Sequence, residues 1–331
     1  MGTLYVDTQG AYIRIEGDTV RVERQGETVA TLPLVHLDLV FIVGQAQLSS
    51  QAIRRFLRDG IKVAFLSRGG DYQGKLSPAT HKNIFLRLHQ YRKYDSSDFR
   101  MSIARTIIWT KVKNCLEFLH KHQRSHPETL LAQESLDIKG LLRDIWHASG
   151  IAELMGLEGV AARHYFSAMG KMIRREGFSF TGRNRRPPRD GVNSLLSLGY
   201  TLLYHEVLSA VESIGLDPYL GFLHEPDYGR ASLATDLQEE FRYLIDELVL
   251  AHINHGAVHP DDFEIRETDG ACYMKPEARK HYYAAYETKM RSKVAYGGQQ
   301  LEYRMIFRKQ AEHLARLVQD QEYVYEPFMM K

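Results

Sequence analysis

The spacing of apolar residues changes near residue 79, and this change constrains the fold more than any other feature of the sequence. Before it, short segments alternate apolar and polar side chains, with glycines such as Gly10, Gly17 and Gly26 between them. Such alternation predicts β-strands. After it, apolar residues recur at the 3.6-residue spacing of α-helices. We therefore expect an α+β fold, with a small, mostly β domain over residues 1–78 and a larger all-α domain over residues 79–331.

Individual elements follow from the same patterns. Strands are predicted at 4–6, 12–15, 20–22, 28–32, 39–43 and 61–66, and Ser49-Ser50 can cap a short helix over 50–58 that Gly60 ends. Helices are predicted at 81–94, 99–121, 136–148, 151–176, 192–214, 233–253, 276–293 and 299–317. A hairpin around Asp269-Gly270, pairing 263–265 with 272–274, interrupts the last group.

Composition excludes several classes of protein. The chain has 331 residues, enough for two domains, and a net charge of +2, so any nucleic-acid-binding surface must be local. Cys115 and Cys272 lie far apart, which excludes a disulfide framework and a cysteine metal site. The first residues lack a basic and then apolar leader, and no apolar run is long enough to span a membrane. We therefore expect a cytoplasmic protein with no membrane association.

Residues 221–242 combine one histidine with several carboxylates. His224 precedes a turn, and Asp236, Glu239 and Glu240 follow on a predicted helix, where residues three or four apart share a face. An imidazole with carboxylates and no thiolate suits a hard divalent cation such as Mg²⁺ or Mn²⁺. The alternative is a set of acidic residues that complement the helix dipole. Helix geometry alone does not decide between Glu239 and Glu240.

Two further segments favour the metal interpretation. Glu158 lies in an apolar helical run with Leu154, Met155 and Val160, and a carboxylate buried alone is costly. A salt bridge from Glu158 to Arg163 is the alternative, but the five-residue separation makes it geometrically poor.

Residues 171–189 form the second segment, and they carry seven basic side chains and one acidic residue, Glu176. Arginine's planar guanidinium suits phosphate, so this segment predicts a phosphate-binding loop, although a solvated loop is the alternative.

Four motifs in this order resemble the CRISPR-associated spacer-integration endonuclease family, the larger member of the spacer-acquisition pair. They are LEGVAARHYF, RNRRPPRDGVNSLLSLGYTLL, GLDPYLGFLHEP and SLATDLQEEFR, and the resemblance covers essentially the whole chain. The resemblance implies an N-terminal β domain, involved in dimerisation, and a helical catalytic domain. It also implies a homodimer that joins a small acquisition partner and binds double-stranded DNA.

The resemblance also implies a set of site residues. Glu158, His224 and Glu239 correspond to the catalytic metal ligands, with Asp236 in a supporting role. The expected activity inserts spacer DNA into a CRISPR array, by attack of a DNA 3′-hydroxyl on a phosphodiester at a Mg²⁺ or Mn²⁺ centre. The expected DNA contacts are Arg163, Arg183, Arg185, Arg186 and Arg189, whereas His164 and Tyr165 receive no role. Two alternatives remain: a stand-alone metal-dependent nuclease for branched DNA, and a DNA-binding scaffold with a vestigial metal site.

Overall fold

The computed structural model describes residues 2–79, 82–185, 187–320 and 322–330. The chain divides into one unit of Met1–Thr80 with Met274–Met290, and a second of His81–Tyr273 with Arg291–Lys331. Strands dominate the first unit and helices the second, which confirms the expected α+β fold. The helix within Met274–Met290 groups with the first unit, although its sequence pattern predicted a place in the helical domain.

Two four-stranded sheets form most of the first unit. One has the order β1-β5-β7-β8, in which β8 alone is antiparallel to its neighbour. The other has the order β4-β3-β2-β6, in which β6 runs parallel to β2. The bounds are β1 Thr3–Val6, β2 Ala11–Glu16, β3 Thr19–Arg24, β4 Glu27–Pro33, β5 Leu39–Val43, β6 Ala46–Leu48, β7 Lys62–Leu66 and β8 Tyr72–Leu76.

The apolar faces of the two sheets and of one helix form a common core. Helix α1 (Ser50–Asp59) begins at Ser49, whose side chain accepts a hydrogen bond from Ala52 N, and ends at Gly60, which has a φ of 79°. Both boundaries agree with the prediction. Its Phe56 is fully buried against Ile13, Val22 and Val63, among other core residues. The predicted alternation therefore corresponds to the buried faces of the sheets.

The second unit is built from long helices. They are α2 Ile84–Tyr94, α3 Ser97–Ser125, α4 Ala132–His147, α5 Ile151–Met172, α6 Gly191–Ile214, α7 Ser232–Gln238, α8 Arg242–Asn254 and α10 Tyr303–Gln319, with α9 (Pro276–Arg291) mostly in the first unit. His81, where the first helix was predicted to begin, lies outside the described residues. Helix α3 packs on α4 and α5, and α6 packs on α7, α8 and α10. In the part of the chain that the structure describes, no helix is both long and apolar enough to cross a bilayer.

Two helix predictions are wrong in part. The predicted helix 233–253 is interrupted by a 3₁₀ turn, Glu239–Phe241, between α7 and α8. Long-range partners hold this turn, because Asn114 donates to the Glu240 carbonyl at 2.9 Å and Phe328 N donates to the Glu240 carboxylate at 2.8 Å. The start of the predicted helix 299–317 is instead strand β12 (Gln299–Glu302), paired with β11 (Lys293–Tyr296). The predicted hairpin is present as β9 (Phe263–Arg266) and β10 (Ala271–Met274).

Candidate functional site

Three separate elements of the helical unit bring Glu158, His224 and Glu239 to one cavity of about 650 Å³. Glu158 lies on α5, His224 on the loop after α6, and Glu239 on the 3₁₀ turn. The cavity also carries six basic side chains and a buried acid. They are Lys111, Arg163, Arg183, Arg185, Arg230, Arg242 and Asp246. The predicted site residues are therefore neighbours in space, although they come from distant parts of the sequence.

A buried carboxylate fixes the loop that carries His224. Asp236 accepts hydrogen bonds from the backbone N–H groups of Phe222, Leu223 and His224 at 2.6–3.0 Å, and its Oδ1 lies 2.7 Å from His224 Nδ1. Gly221 permits this approach, because a Cβ there would lie 2.7 Å from Asp236 Oδ2. With Nδ1 engaged, Nε2 is the ring nitrogen left for a ligand. A histidine held by a carboxylate in this way is typical of metal sites.

The 3₁₀ turn separates the roles of Glu239 and Glu240. Glu239 lines the cavity, whereas Glu240 points into the protein, where Tyr325 Oη donates to its carboxylate. Burial raises the pKa of Glu240 to about 7, against the opposing effect of its hydrogen bonds from Tyr325 and Phe328. Of the two neighbours that the sequence could not separate, only Glu239 among the described residues faces the cavity.

Lys111 joins the two cavity carboxylates. Its Nζ on α3 lies 2.5 Å from Glu158 Oε1 and 2.5 Å from Glu239 Oε2, and Arg242 Nη1 lies 3.5 Å from Glu239 Oε1. Burial by itself would raise the pKa of Glu239, but the charges of Lys111 and Arg242 outweigh burial and lower it to about 2. The partner of Glu158 is thus Lys111, and not Arg163, the alternative that the sequence suggested.

The donor set fits a hard divalent cation, although a preformed cluster is not present. Among the described residues, no three His, Cys, Asp or Glu side chains already form a metal-binding group. Two carboxylates nevertheless share the ammonium of Lys111 beside an oriented imidazole. Carboxylate oxygens and one imidazole suit Mg²⁺ or Mn²⁺.

A buried network forms one wall of the cavity. Asp246 accepts hydrogen bonds from Tyr165 Oη, at 2.8 Å, and from Tyr200 Oη. Burial raises the pKa of Asp246 above its usual value, in spite of these hydrogen bonds. The Arg242 guanidinium lies 4.0 Å from the centre of the Tyr200 ring, in cation–π geometry. Tyr165, which the sequence left unassigned, thus supports this wall. His164 instead lies near Asp137 on α4, at 3.3 Å.

The predicted DNA-contact arginines have different surroundings. Arg163 and Arg185 line the cavity. Arg183 also reaches it, but its guanidinium donates to Asn193 Oδ1 at 2.8 Å and Ser197 Oγ at 3.0 Å, and burial lowers its pKa to about 10. Arg189 donates to the Asp269 carbonyl at 2.6 Å. Arg186 lies outside the described residues. Arg183 and Arg189 therefore make contacts within the protein, whereas Arg163 and Arg185 line the cavity.

Several cavity residues escaped the sequence analysis. Lys111 could have been noticed in the sequence, because it lies one helical turn from Ile107 and from Cys115 on a face that is buried. A lysine buried there without a partner would be costly. Asp246 is a buried position of α8 and Arg242, at its start, is partly buried, so both could have been noticed for the same reason. Arg230 could not, because an exposed arginine in a loop is ordinary.

We expect Asp236→Asn to weaken Mn²⁺ binding by about 10- to 100-fold, the usual effect of losing a group that orients a metal-bound histidine. The backbone N–H groups of Phe222 and Leu223 now donate to the Asp236 carboxylate, and in the variant they would face the amide NH₂ of asparagine, which cannot accept a hydrogen bond. The measurement is Mn²⁺ affinity by titration calorimetry. Asp227→Asn, at an exposed position of the same loop, is the control and should bind as wild type. Unchanged affinity in Asp236→Asn would show that Asp236 does not orient His224 for a metal.

Comparison with known proteins identifies close similarities along the chain. Residues 4–288 match the family model described as CRISPR associated protein Cas1. The CRISPR-associated endonuclease Cas1 1 of Chlorobaculum tepidum is 36% identical over 100% of this chain and 99% of its own length. A structure titled "Casposase bound to integration product" matches with a TM-score of 0.85 at 26% identity, covering 98% of this chain and 93% of that one. A structure titled "Cas6-RT-Cas1--Cas2 complex" matches with a TM-score of 0.86 at 25% identity, covering 100% of this chain and 36% of that one.

Proposed function

Because the chain belongs to the CRISPR-associated Cas1 family, we propose that it is a metal-dependent DNA endonuclease and integrase that inserts spacer DNA into a CRISPR array. The observation that carries this proposal is the pair of carboxylates, Glu158 and Glu239, that share one cation beside the oriented His224. The casposase structure supports the integrase activity, because a chain of the same fold is bound there to an integration product. The proposal includes action in the cytoplasm.

The residues of the cavity suit phosphodiester chemistry. Glu158, Glu239 and His224 Nε2 would hold Mg²⁺ or Mn²⁺, which supplies polarisation of the scissile phosphate and stabilisation of the negative charge that develops on it. Arg163 and Arg185 neutralise neighbouring phosphates, and Asp236 keeps the imidazole oriented. The attacking group is a DNA 3′-hydroxyl for integration, or water for nicking. Positioning of the two DNA strands against each other therefore accounts for much of the rate enhancement.

The proposed partners are double-stranded DNA, a second copy of the chain and a small acquisition protein. The Cas6-RT-Cas1--Cas2 complex supports the small partner, since a chain of this fold occurs there with Cas2. For the homodimer, β4 is an edge strand of its sheet, and Val29 on it is 54% exposed. Unpaired edges with exposed apolar side chains are suited to pairing with another chain.

Removal of divalent metal tests the proposed activity. Nicking of duplex DNA by the purified chain should stop in EDTA and return when Mg²⁺ or Mn²⁺ is added in excess. A DNA-binding scaffold with a vestigial site would bind DNA but show no metal-dependent nicking. Full nicking in EDTA would contradict a metal-dependent mechanism.

Replacing Arg163 and Arg185 together by glutamine should make the salt dependence of DNA binding shallower. Each neutralised phosphate contributes a slope of about −0.9 in log affinity against log salt, so the double variant should lose up to about two units. Affinity for a fixed duplex is measured at several salt concentrations. Arg143→Gln, which removes an 83% exposed side chain on α4, is the control. An unchanged slope in the double variant would show that these two arginines do not contact DNA phosphates.

A further inference from the structure

We propose that Lys111 is a resident counter-ion of the metal centre: it holds Glu158 and Glu239 together in the metal-free protein, and the metal must displace it to bind. This inference rests on the proposed function, because it takes these two carboxylates as metal ligands. In this view Lys111 competes with the metal for the two carboxylates, and this competition determines how tightly the site binds metal.

The geometry makes Lys111 and a metal mutually exclusive at this position. Lys111 Nζ lies 2.5 Å from one oxygen of each carboxylate, and a small divalent cation binds carboxylate oxygens at about 2.0–2.2 Å. A cation that bonds the same two oxygens would therefore occupy nearly the same point as the ammonium. Two positive charges cannot share that point, so one of them must leave.

The surroundings explain why a resident cation is needed. The side chains of Glu158, Glu239 and Lys111 are only 19%, 6% and 16% exposed. Two carboxylates this buried would repel each other without a positive charge between them. Arg242 contacts the other oxygen of Glu239, at 3.5 Å, and so cannot replace the bridge to Glu158. Lys111 therefore keeps both ligands in place before metal arrives.

The chemistry of lysine suits a displaceable ion. Its ammonium is a point charge on a flexible four-carbon stem, so it can withdraw into a cavity of about 650 Å³. Arginine would instead present a rigid fork that can engage both carboxylates at once. Metal affinity should therefore follow the order Lys111→Met tightest, then wild type, with Lys111→Arg equal to wild type or weaker.

Mn²⁺ binding by the full-length protein tests this order, with free Mn²⁺ followed by its electron paramagnetic resonance signal. We expect Lys111→Met to bind Mn²⁺ about tenfold or more tightly than wild type, because the competing ion pair is gone. The matched control is Lys113→Met, which removes a lysine paired with Glu117 on the same helix, outside the cavity, and should bind as wild type. Mn²⁺ binding by Lys111→Met that is equal to or weaker than that of wild type would overturn the proposal. Lys111→Arg keeps the positive charge and therefore the fold, and tighter binding than wild type by this variant would also overturn it.

Thermal unfolding supplies a second readout. Metal-free Lys111→Met should melt below wild type, because its carboxylates lack their counter-ion, and excess Mn²⁺ should raise its melting temperature more than that of wild type. An equal rise in both proteins would contradict displacement. The proposed function fails separately: if neither protein binds Mn²⁺, the metal site itself is absent and both proposals fall. If both bind equally, and Glu158→Gln abolishes binding, the metal site stands and only the role of Lys111 falls.

Discussion

Replacing Glu158 or Glu239 by glutamine should reduce DNA nicking and strand transfer by about three orders of magnitude at saturating Mn²⁺. Loss of a ligand removes metal-based charge stabilisation worth several kcal/mol, and about 4 kcal/mol corresponds to a thousandfold in rate. Glutamine keeps the size of glutamate, and at position 158 it can still accept the hydrogen bond from Lys111, so the helices around the cavity should stay folded. The effect should therefore fall on the chemical step.

The control for these variants is a glutamate of similar contacts outside the cavity. Glu247 on α8 pairs with Lys121 at 2.7 Å, near the surface, so Glu247→Gln should retain wild-type rates. Initial rates are compared at matched protein concentration, with circular dichroism to verify the helix content. Wild-type rates in either Glu158→Gln or Glu239→Gln would remove that residue from the metal site.

Arg279→Met should lower the free energy of unfolding by about 3–5 kcal/mol, the usual loss when one partner of a buried ion pair is removed. Arg279 on α9 makes two charged hydrogen bonds to Asp7, of 2.7 and 3.0 Å, within the first unit. It also donates to the carbonyls of Arg68 and Met274, each at 2.9 Å. The variant would leave Asp7 buried and unpaired, at the carboxyl end of β1.

Urea unfolding followed by circular dichroism measures this loss. The double variant Asp7→Leu with Arg279→Met should be more stable than Arg279→Met alone, because no buried charge is then left without a partner. Arg58→Met, at a 69% exposed position of α1, is the control and should change stability by less than about 1 kcal/mol. If Arg279→Met changed the free energy of unfolding no more than Arg58→Met does, the Arg279–Asp7 ion pair would not stabilise the packing of α9 within the first unit.

Local patterns predicted the β region well and failed where distant segments decide the structure. Alternation and glycines located β1 to β4 because β1 to β3 each have buried residues on one face, and Ala30 and Leu32 of β4 pack against the same core. The break at Glu239–Phe241 could not be predicted, because Asn114 and Phe328, which hold it, are far away in the sequence. Strand β12 could have been predicted, because the pair Gly297-Gly298 is typical of a two-residue hairpin turn. Both glycines have positive φ and form the turn between β11 and β12.

The candidate site shows the same division. The motifs carrying Glu158, His224 and Glu239 were visible in the sequence, and the structure brings these residues to one cavity. The bridge by Lys111 was not visible, since no local spacing connects α3 with α5 or with the 3₁₀ turn. The arginine-rich segment appeared uniform in sequence, but folding separates its members: Arg183 contacts Asn193, whereas Arg185 lines the cavity.

The most direct test of the proposed function is strand transfer by the chain together with a Cas2-type partner. A labelled donor duplex with a 3′-hydroxyl is incubated with DNA carrying a CRISPR repeat, and covalent joining is measured on a denaturing gel. We expect a joined product in Mn²⁺, and no joined product with EDTA, with a 3′-deoxy donor or with Glu158→Gln. Nicked DNA without any joining would indicate a stand-alone nuclease, and joining in EDTA or by Glu158→Gln would contradict the metal-dependent integrase.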